Sequence, residues 1–589
     1  MIIIVITVIT VIYLLTLPSG IGLGDSGTLA AAAANWGIPH PPGFPSWILL
    51  AHWFTYLPWG TVAQKLALVS VFASVGTLAL VMRMAGVVPA LLLAFSYGFW
   101  SQAVNVETYA LTNFIIVLLS YLVWQEKPNG WLIGVILGFG LGLNPIVVAV
   151  IPCLVYKSYK NYKYYKNYIW MGLVALTCAI AIYSYLPLRA SQHPFLNWSD
   201  PSTPGRLLSH LTGGGLNIVS STSINGFTGS LFWYADAWSR FLYLFSVQFI
   251  GIGWPLLALG VVELWQKNRK KLVYWLLLVF ANVSLAGLYT SGNRDSWFIT
   301  SFIVGAVMMG EGVWFLYNRY NGYNNYKCYI LAAATFVPLV VWFPTMWQRA
   351  RTDMTGQYIA DLYKDVPNNA ILVGGGETFN SLTLYAHEAL KLRPDVIPVD
   401  MTIFYGQPWY RENGGNRGDW RNEGVELPKF TDEMEFSRIL EEFADANASR
   451  PIFVTGYLLT QPVYGGTMTP AYVPQKYQLA QQGIVYRLVP MGKIGMIGAI
   501  GPIREKFSWY LESNYQKAIG LIQMEYGLAF EKKGDYLLRR GRTDEAFSWF
   551  RKAGEVAPAY FDQNRLGQKI QMLNAASPSA VPSEIQSPH

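Results

Sequence analysis

Charge, cysteine and histidine are all scarce in this 589-residue chain: 13% of residues are charged, three are cysteine and six are histidine. Cys153, Cys178 and Cys328 lie in or beside apolar runs, so the chain beyond residue 328 has no cysteine with which to form a disulfide framework. No internal repeat relates the two halves, as inverted-repeat transporters require. The low charge also argues against a solvated, charge-rich chain. What fills the space is apolar, with 52% hydrophobic residues, 22 Trp and 37 Tyr, the composition of a polytopic membrane protein.

Apolar runs long enough to cross a bilayer lie at about 2–17, 61–82, 87–105, 108–124, 169–188, 239–265, 272–290, 297–317 and 328–347. The run at about 131–156 is interrupted by Gly138, Gly140, Gly142, Asn144 and Pro145, which suggests two short spans in a hairpin. Counted so, the runs make eleven spans. Lys157, Lys160, Lys163 and Lys166, then Lys267, Arg269, Lys270 and Lys271, then Arg319 with Lys327, all fall on one side with Arg83 and Lys127. By the positive-inside rule that side is cytoplasmic, which puts the N-terminus inside and everything after about residue 348 outside. Orientation then accounts for most of the net charge of +8, and no nucleic-acid partner is called for. The first run has neither a basic n-region nor an Ala-x-Ala site, so it reads as a retained span and not a cleaved signal.

With this topology Asp25, His40, Glu107, Arg189, Asp200, Arg240, Arg294 and Asp295 all map to the outer ends of spans or to outer loops. The richest stretch is GDSGTLAAAAANWGIPHPPGFP, residues 24–45. Asp25 leaves the first span between Gly24 and Gly27, which leave its carboxylate without a bulky neighbour. His40 is the one ionisable side chain of a loop stiffened by Pro39, Pro41 and Pro42. Asp25 or Ser26 also suits the plainer role of capping the helix that follows. Glu107 lies where two apolar helices turn and could likewise cap a helix from Thr108, and Arg189 could be an interfacial arginine.

Asp-Ser-Gly after the first span, His-Pro-Pro-Gly-Phe-Pro, Glu107-x-Tyr109-Ala110-Leu111, Leu-Pro-Leu-Arg at 186–189 and Asn-Trp at 197–198 together resemble glycosyltransferase family 117, formerly domain-of-unknown-function family 2723. Its members resemble the protein O-mannosyltransferases of the GT-C superfamily. A serine follows Pro45 where the family is expected to carry leucine. The resemblance implies a polytopic α-helical membrane enzyme of about eleven transmembrane helices. It would move a sugar, with mannose as the leading guess, from a polyprenyl-phosphate carrier to an acceptor hydroxyl on a protein, lipid or glycan at the outer face. Asp25 matches the acidic residue of the first outer loop and is the candidate base, with Glu107 assisting. His40, Arg189 and Arg294 are candidates for the donor phosphate. The resemblance implies no required cofactor. A divalent cation between Asp25 and Glu107 is conceivable but not favoured, since nothing has ligand spacing that demands it. A transporter and a membrane scaffold assembling through its outer helices are the alternative classes.

These features divide the chain into 1–348 as the GT-C-like membrane part and 349–503 as a soluble extracytoplasmic α/β domain, followed by 504–574 as a tetratricopeptide-like helical segment and 575–589 as a disordered Ser/Pro/Ala-rich tail. In the second part, 370–373 and 451–454 read as buried strands and 356–364, 378–390 and 432–447 as helices. Gly374-Gly375-Gly376-Glu377 lacks phosphate-loop spacing and reads as a strand-to-helix turn. One helical repeat cannot bury its own apolar face, so it should dock on the α/β domain or on a protein partner.

Overall fold

The computed structural model describes residues 2–159, 165–213, 231–288, 294–319, 333–406, 410–411, 424–428, 435–460, 472–492, 503–504 and 516–558. Lys163, Lys327 and the tail at 575–589 lie outside the described residues. The first half is helical: α1 (Ile2–Leu15), α2 (Ser26–Asn35), α3 (Pro45–Phe54), α4 (Val62–Ala85), α5 (Val87–Ala94), α6 (Tyr97–Ala103), α7 (Tyr109–Val123), α8 (Gly130–Leu141), α9 (Ile151–Tyr159), α10 (Tyr165–Tyr183), α11 (Tyr185–Ala190) and α12 (Pro204–Leu211). It continues with α13 (Leu231–Gln248), α14 (Gly253–Lys267), α15 (Arg269–Leu288), α16 (Arg294–Trp297), α17 (Ile299–Arg319) and α18 (Val337–Arg351).

Among the described residues four helical stretches are long and apolar enough to span a membrane, at 62–85, 168–190, 269–288 and 294–319, and a bent pair makes a fifth. Their outer faces carry what water would reject: Ile169, Leu173, Leu176 and Ile180 form an exposed apolar stripe down α10. The opposite face of α10 packs on α8, where Gly134 and Gly138 leave so little room that a methyl group at Gly138 would meet Ala175 O at 2.7 Å. The chain is a multi-pass integral membrane protein.

Two runs read as single spans are broken. The run at 87–105 divides into α5 and α6 at Ser96, which is extended and bonds its hydroxyl to Leu93 O at 2.7 Å. The run at 239–265 bends by 108° between α13 and α14, where Ile250 and Gly251 are left-handed with φ of 51° and 72°. The glycine-rich run at 131–156 is broken as expected: α8 ends at Gly142, Asn144 accepts from Ile146 N, and a 3-10 turn at Pro145–Val150 leads into α9.

Basic residues gather at one end of the bundle. Arg83 lies over the Tyr121 ring, Lys157 over Trp124, and Lys271 pairs with Glu311 at 2.7 Å. Asp25, His40 and the turn containing Glu107 lie toward the other end, where the start of α7 meets the first loop.

After α18 come α19 (Met354–Tyr363), β1 (Ile371–Gly374), α20 (Gly376–Leu384), β2 (Ile397–Asp400), α21 (Met401–Gly406), α22 (Phe436–Ala446), β3 (Ile452–Thr455), β4 (Tyr477–Gln482) and β5 (Val485–Pro490). The five strands form one sheet in the order β2-β1-β3-β5-β4, parallel from β2 to β3 and antiparallel beyond. Two helices, α23 (Gln516–Leu538) and α24 (Thr543–Val556), pack together with the Phe550 ring against Gly534. Their apolar face is covered by the α/β domain: Glu525 accepts from Tyr358 Oη at 2.5 Å and Tyr457 N at 2.9 Å, and Tyr526 Oη donates to Asp361 at 2.6 Å.

Candidate active site

Gly24 is left-handed, with φ of 69°, and turns the chain out of the first span so that α2 begins one residue after Asp25. Asp25 occupies the N-cap position and its carbonyl accepts the first helical bond from Leu29 N at 2.9 Å. Its carboxylate makes no capping bond. Asp25 Oδ2 instead lies 3.4 Å from His40 Nε2. The capping role that the sequence left open for Asp25 is therefore not the one its side chain adopts.

His40 is held on a loop that continues through the cis Pro41–Pro42 bond to α3. Ile38 N donates to Leu196 O at 2.7 Å and Trp198 N to Ile38 O at 3.1 Å, a short parallel bridge that brings the Asn197-Trp198 motif to the first loop. The imidazole then sits edge-on to Phe44 and Trp198, with centroids 5.1 Å and 6.1 Å away. Burial works to lower its pKa, but the adjacent Asp25 carboxylate and the more distant Glu377 outweigh it, so the pKa is raised. His210 on α12 lies behind this loop. Burial and the nearby His40 push its pKa down to about 3, and neither ring nitrogen has a hydrogen-bond partner.

Glu107 is buried in the turn between α6 and α7, where Ser70 Oγ donates to its carbonyl and Thr108 Oγ1 accepts from Asn144 Nδ2 at 3.1 Å. The neighbouring Asn105 fills the space beside Gly22, which sets this turn against the stretch leading to Asp25. Arg189 lies at the other end of α2: its Nε donates to Trp36 O at 2.7 Å and Nη2 to Asn35 O at 3.1 Å, so its guanidinium holds the last carbonyls of that helix. Arg294 pairs with Asp236, while Arg240 forks onto Asp295 at 2.7 Å and 3.1 Å. These crossed pairs join α13 to α16, and no described contact joins Arg294 to Asp25 or His40.

Nothing in the residue pattern marks the part played by α20. Gly376, with φ of 83°, turns the chain from β1 into this helix, which lies along α2. Ser381 Oγ donates to Gly24 O at 2.6 Å and accepts from Thr28 N at 3.2 Å. Gly27, read as sparing the Asp25 carboxylate a bulky neighbour, makes room for the Ser381 main chain. One turn earlier on the same helix stands the exposed Glu377. In the π-turn that follows, Glu388 accepts from Asn35 Nδ2 at 3.0 Å and from the His387 ring at 2.7 Å, and Phe195 stacks on His387. The α/β domain thus grips α2 at both ends. Among the described residues no three His, Cys, Asp or Glu side chains converge as metal ligands.

Residues 25–84 and 77–168 match one family model. Its description is protein O-mannosyl-transferase TMEM260 N-terminal domain, and the match takes in Asp25, His40 and Glu107. Protein O-mannosyl-transferase TMEM260 of Mus musculus is 24% identical over 446 residues, covering 68% of this chain and 62% of the relative. The Dictyostelium discoideum protein of that name is 20% identical over 526 residues, 76% of this chain and again 62% of the relative. The chain therefore spans less than two thirds of the length of these relatives. Among solved structures, ArnT from Cupriavidus metallidurans bound to undecaprenyl phosphate aligns over 80% of this chain and 99% of its own, at 11% identity and a TM-score of 0.49. The similarity to protein O-mannosyltransferases read from the motifs is borne out by the family model and the relatives.

Proposed function

We propose that this chain is a membrane glycosyltransferase that moves a sugar from a polyprenyl-phosphate donor to an acceptor hydroxyl on the extracytoplasmic side. The observation that carries this reading is the Asp25 carboxylate, free of its helix and 3.4 Å from His40. The relatives' names support mannose as the sugar and a protein hydroxyl as the acceptor.

Asp25 takes the proton from the acceptor hydroxyl as the acceptor oxygen bonds to the anomeric carbon. The bond from that carbon to the phosphate oxygen breaks, and the phosphate leaves with the electron pair. His40, its pKa raised by Asp25 and Glu377, faces the charge that builds on the leaving oxygen. Glu107 helps orient the acceptor from the adjoining turn. Arg189 serves the site by holding the far end of α2, and Arg294 by joining α13 to α16. No cofactor is required by this sequence of steps. The N-terminus lies in the cytoplasm and the α/β domain, gripping the Asp25 loop, outside. The test is to give the purified chain polyprenyl-phosphate donors carrying different sugars, together with serine- and threonine-bearing acceptors, and to follow glycan mass on the acceptor. Transfer from at least one carrier-linked sugar is the expected result; hydrolysis-free inertness toward all of them would sink the proposal.

A further inference from the structure

Aspartate is among the strongest N-cap residues because its carboxylate accepts the exposed N–H groups of the first helical turn. Asp25 is in that position at the head of α2, but its own backbone is already helical, with φ of −72° and ψ of −11°, and its carboxylate makes no capping bond. The N–H that it would satisfy, that of Thr28, is already engaged by Ser381 Oγ at 3.2 Å. Ser381 is buried in α20, 353 residues away in sequence from the group it caps. A helical serine or threonine commonly returns its hydroxyl to a carbonyl of the preceding turn, as Thr383 does to Phe379 O at 2.7 Å. Ser381 instead gives its proton to Gly24 O at 2.6 Å, closing a clasp around the turn that carries Asp25.

We propose that Ser381 is a positioning residue of the active site: by bonding both Gly24 O and the Thr28 N–H from the α/β domain it fixes the turn that leaves the Asp25 carboxylate facing His40. The function of Asp25 as base is the reading on which this rests. The grip of Glu388 on Asn35 holds the other end of α2, so the helix stays in place while its first turn depends on one hydroxyl. Without that hydroxyl, the Thr28 N–H and Gly24 O lose the partner they share, and the turn is free to carry the Asp25 carboxylate away from His40. His40 then loses its nearest carboxylate, and the groups left facing it are Glu377 on α20 and the neutral His210 on α12.

The test compares Ser381→Ala and Ser381→Thr in the full chain, embedded in lipid nanodiscs. Isotope-labelled histidine reports the titration of His40 by magnetic resonance, its signal assigned among the six histidines with His40→Gln. Sugar transfer at saturating donor is measured on the same samples. In Ser381→Ala the His40 midpoint should move to lower pH and transfer should fall roughly fivefold, the ratio that a typical cap preference sets. Ser381→Thr keeps the hydroxyl and should keep both values. A native His40 midpoint in Ser381→Ala overturns the proposal, whether the rate is native or has fallen through loss of structure alone. A lowered midpoint with an unchanged rate upholds the positioning and counts instead against Asp25 as the base.

Discussion

Replacing Arg189 separates a residue that holds a helix from one that holds a phosphate. Its Nε and Nη2 bond to Trp36 O and Asn35 O, the orphan carbonyls where α2 ends. Charge-assisted bonds of this kind contribute about 1.5–3 kcal/mol each when buried; Arg189 is half-buried, so about 2 kcal/mol for the pair is the reasonable scale. Arg189→Met should lower the melting temperature of the detergent-solubilised chain by about 2 °C or more. Arg189→Lys keeps the charge but cannot present the fork, so it should recover only part of that loss. Binding of a polyprenyl phosphate, followed by calorimetry, should change less than about threefold in either variant. If Met weakened that binding tenfold or more at an unchanged melting temperature and Lys restored it, the cap assignment would be wrong and Arg189 would belong to the donor site.

Two further substitutions probe the α/β domain and its contact with α2. Asp400 is buried at the end of β2, its Oδ1 accepting from Thr402 N and Ile403 N while Oδ2 has no partner, and burial pushes its pKa up to about 7. An acid whose folded pKa is raised holds its proton better when folded, so stability is lost as pH rises from about 4 toward 7. Asp400→Asn should therefore raise the melting temperature at pH 8, by an effect on the order of 2–4 kcal/mol, and change it little at pH 4; equal shifts at both would refute the assignment. Gly27→Ala places a methyl group against the Ser381 main chain, and should cost about 1–3 kcal/mol and slow transfer by parting α2 from α20. Native stability and rate in that variant would mean that the two helices are not in contact during turnover.

What could be read from the sequence followed the range of the interaction involved. The break within 131–156 was legible because Gly142, Asn144 and Pro145 act locally, and β1 and β3 because each is a short continuous apolar run. The breaks at Ser96 and Ile250 were not, since apolar residues crowd both sides and hide a change of backbone direction. β2 carries a proline, and β4 alternates glutamines with apolar residues at the sheet edge, so neither shows a buried-strand pattern. The meeting of Asp25 with His40 is local, since only α2 and a short loop, fourteen residues in all, lie between them. That of Ser381 with Gly24 depends on how the α/β domain docks, and a serine inside an ordinary amphipathic helix gives no signal of it. Arg189 was recognisable as a cation at the end of an apolar run, but only the position of the α2 carbonyls decides what it binds.

If Asp25 is the general base of a sugar transfer, Asp25→Asn removes that role with least disturbance. Asparagine keeps the size of the side chain and can lie beside His40, but cannot take a proton. Transfer from the carrier-linked sugar to the acceptor, measured in single turnovers with donor already bound, should fall by roughly 10² to 10⁴. Expression, melting temperature and binding of the polyprenyl phosphate should stay near native. An Asp25→Asn chain that binds donor and transfers sugar at the native rate would show that Asp25 is not the base.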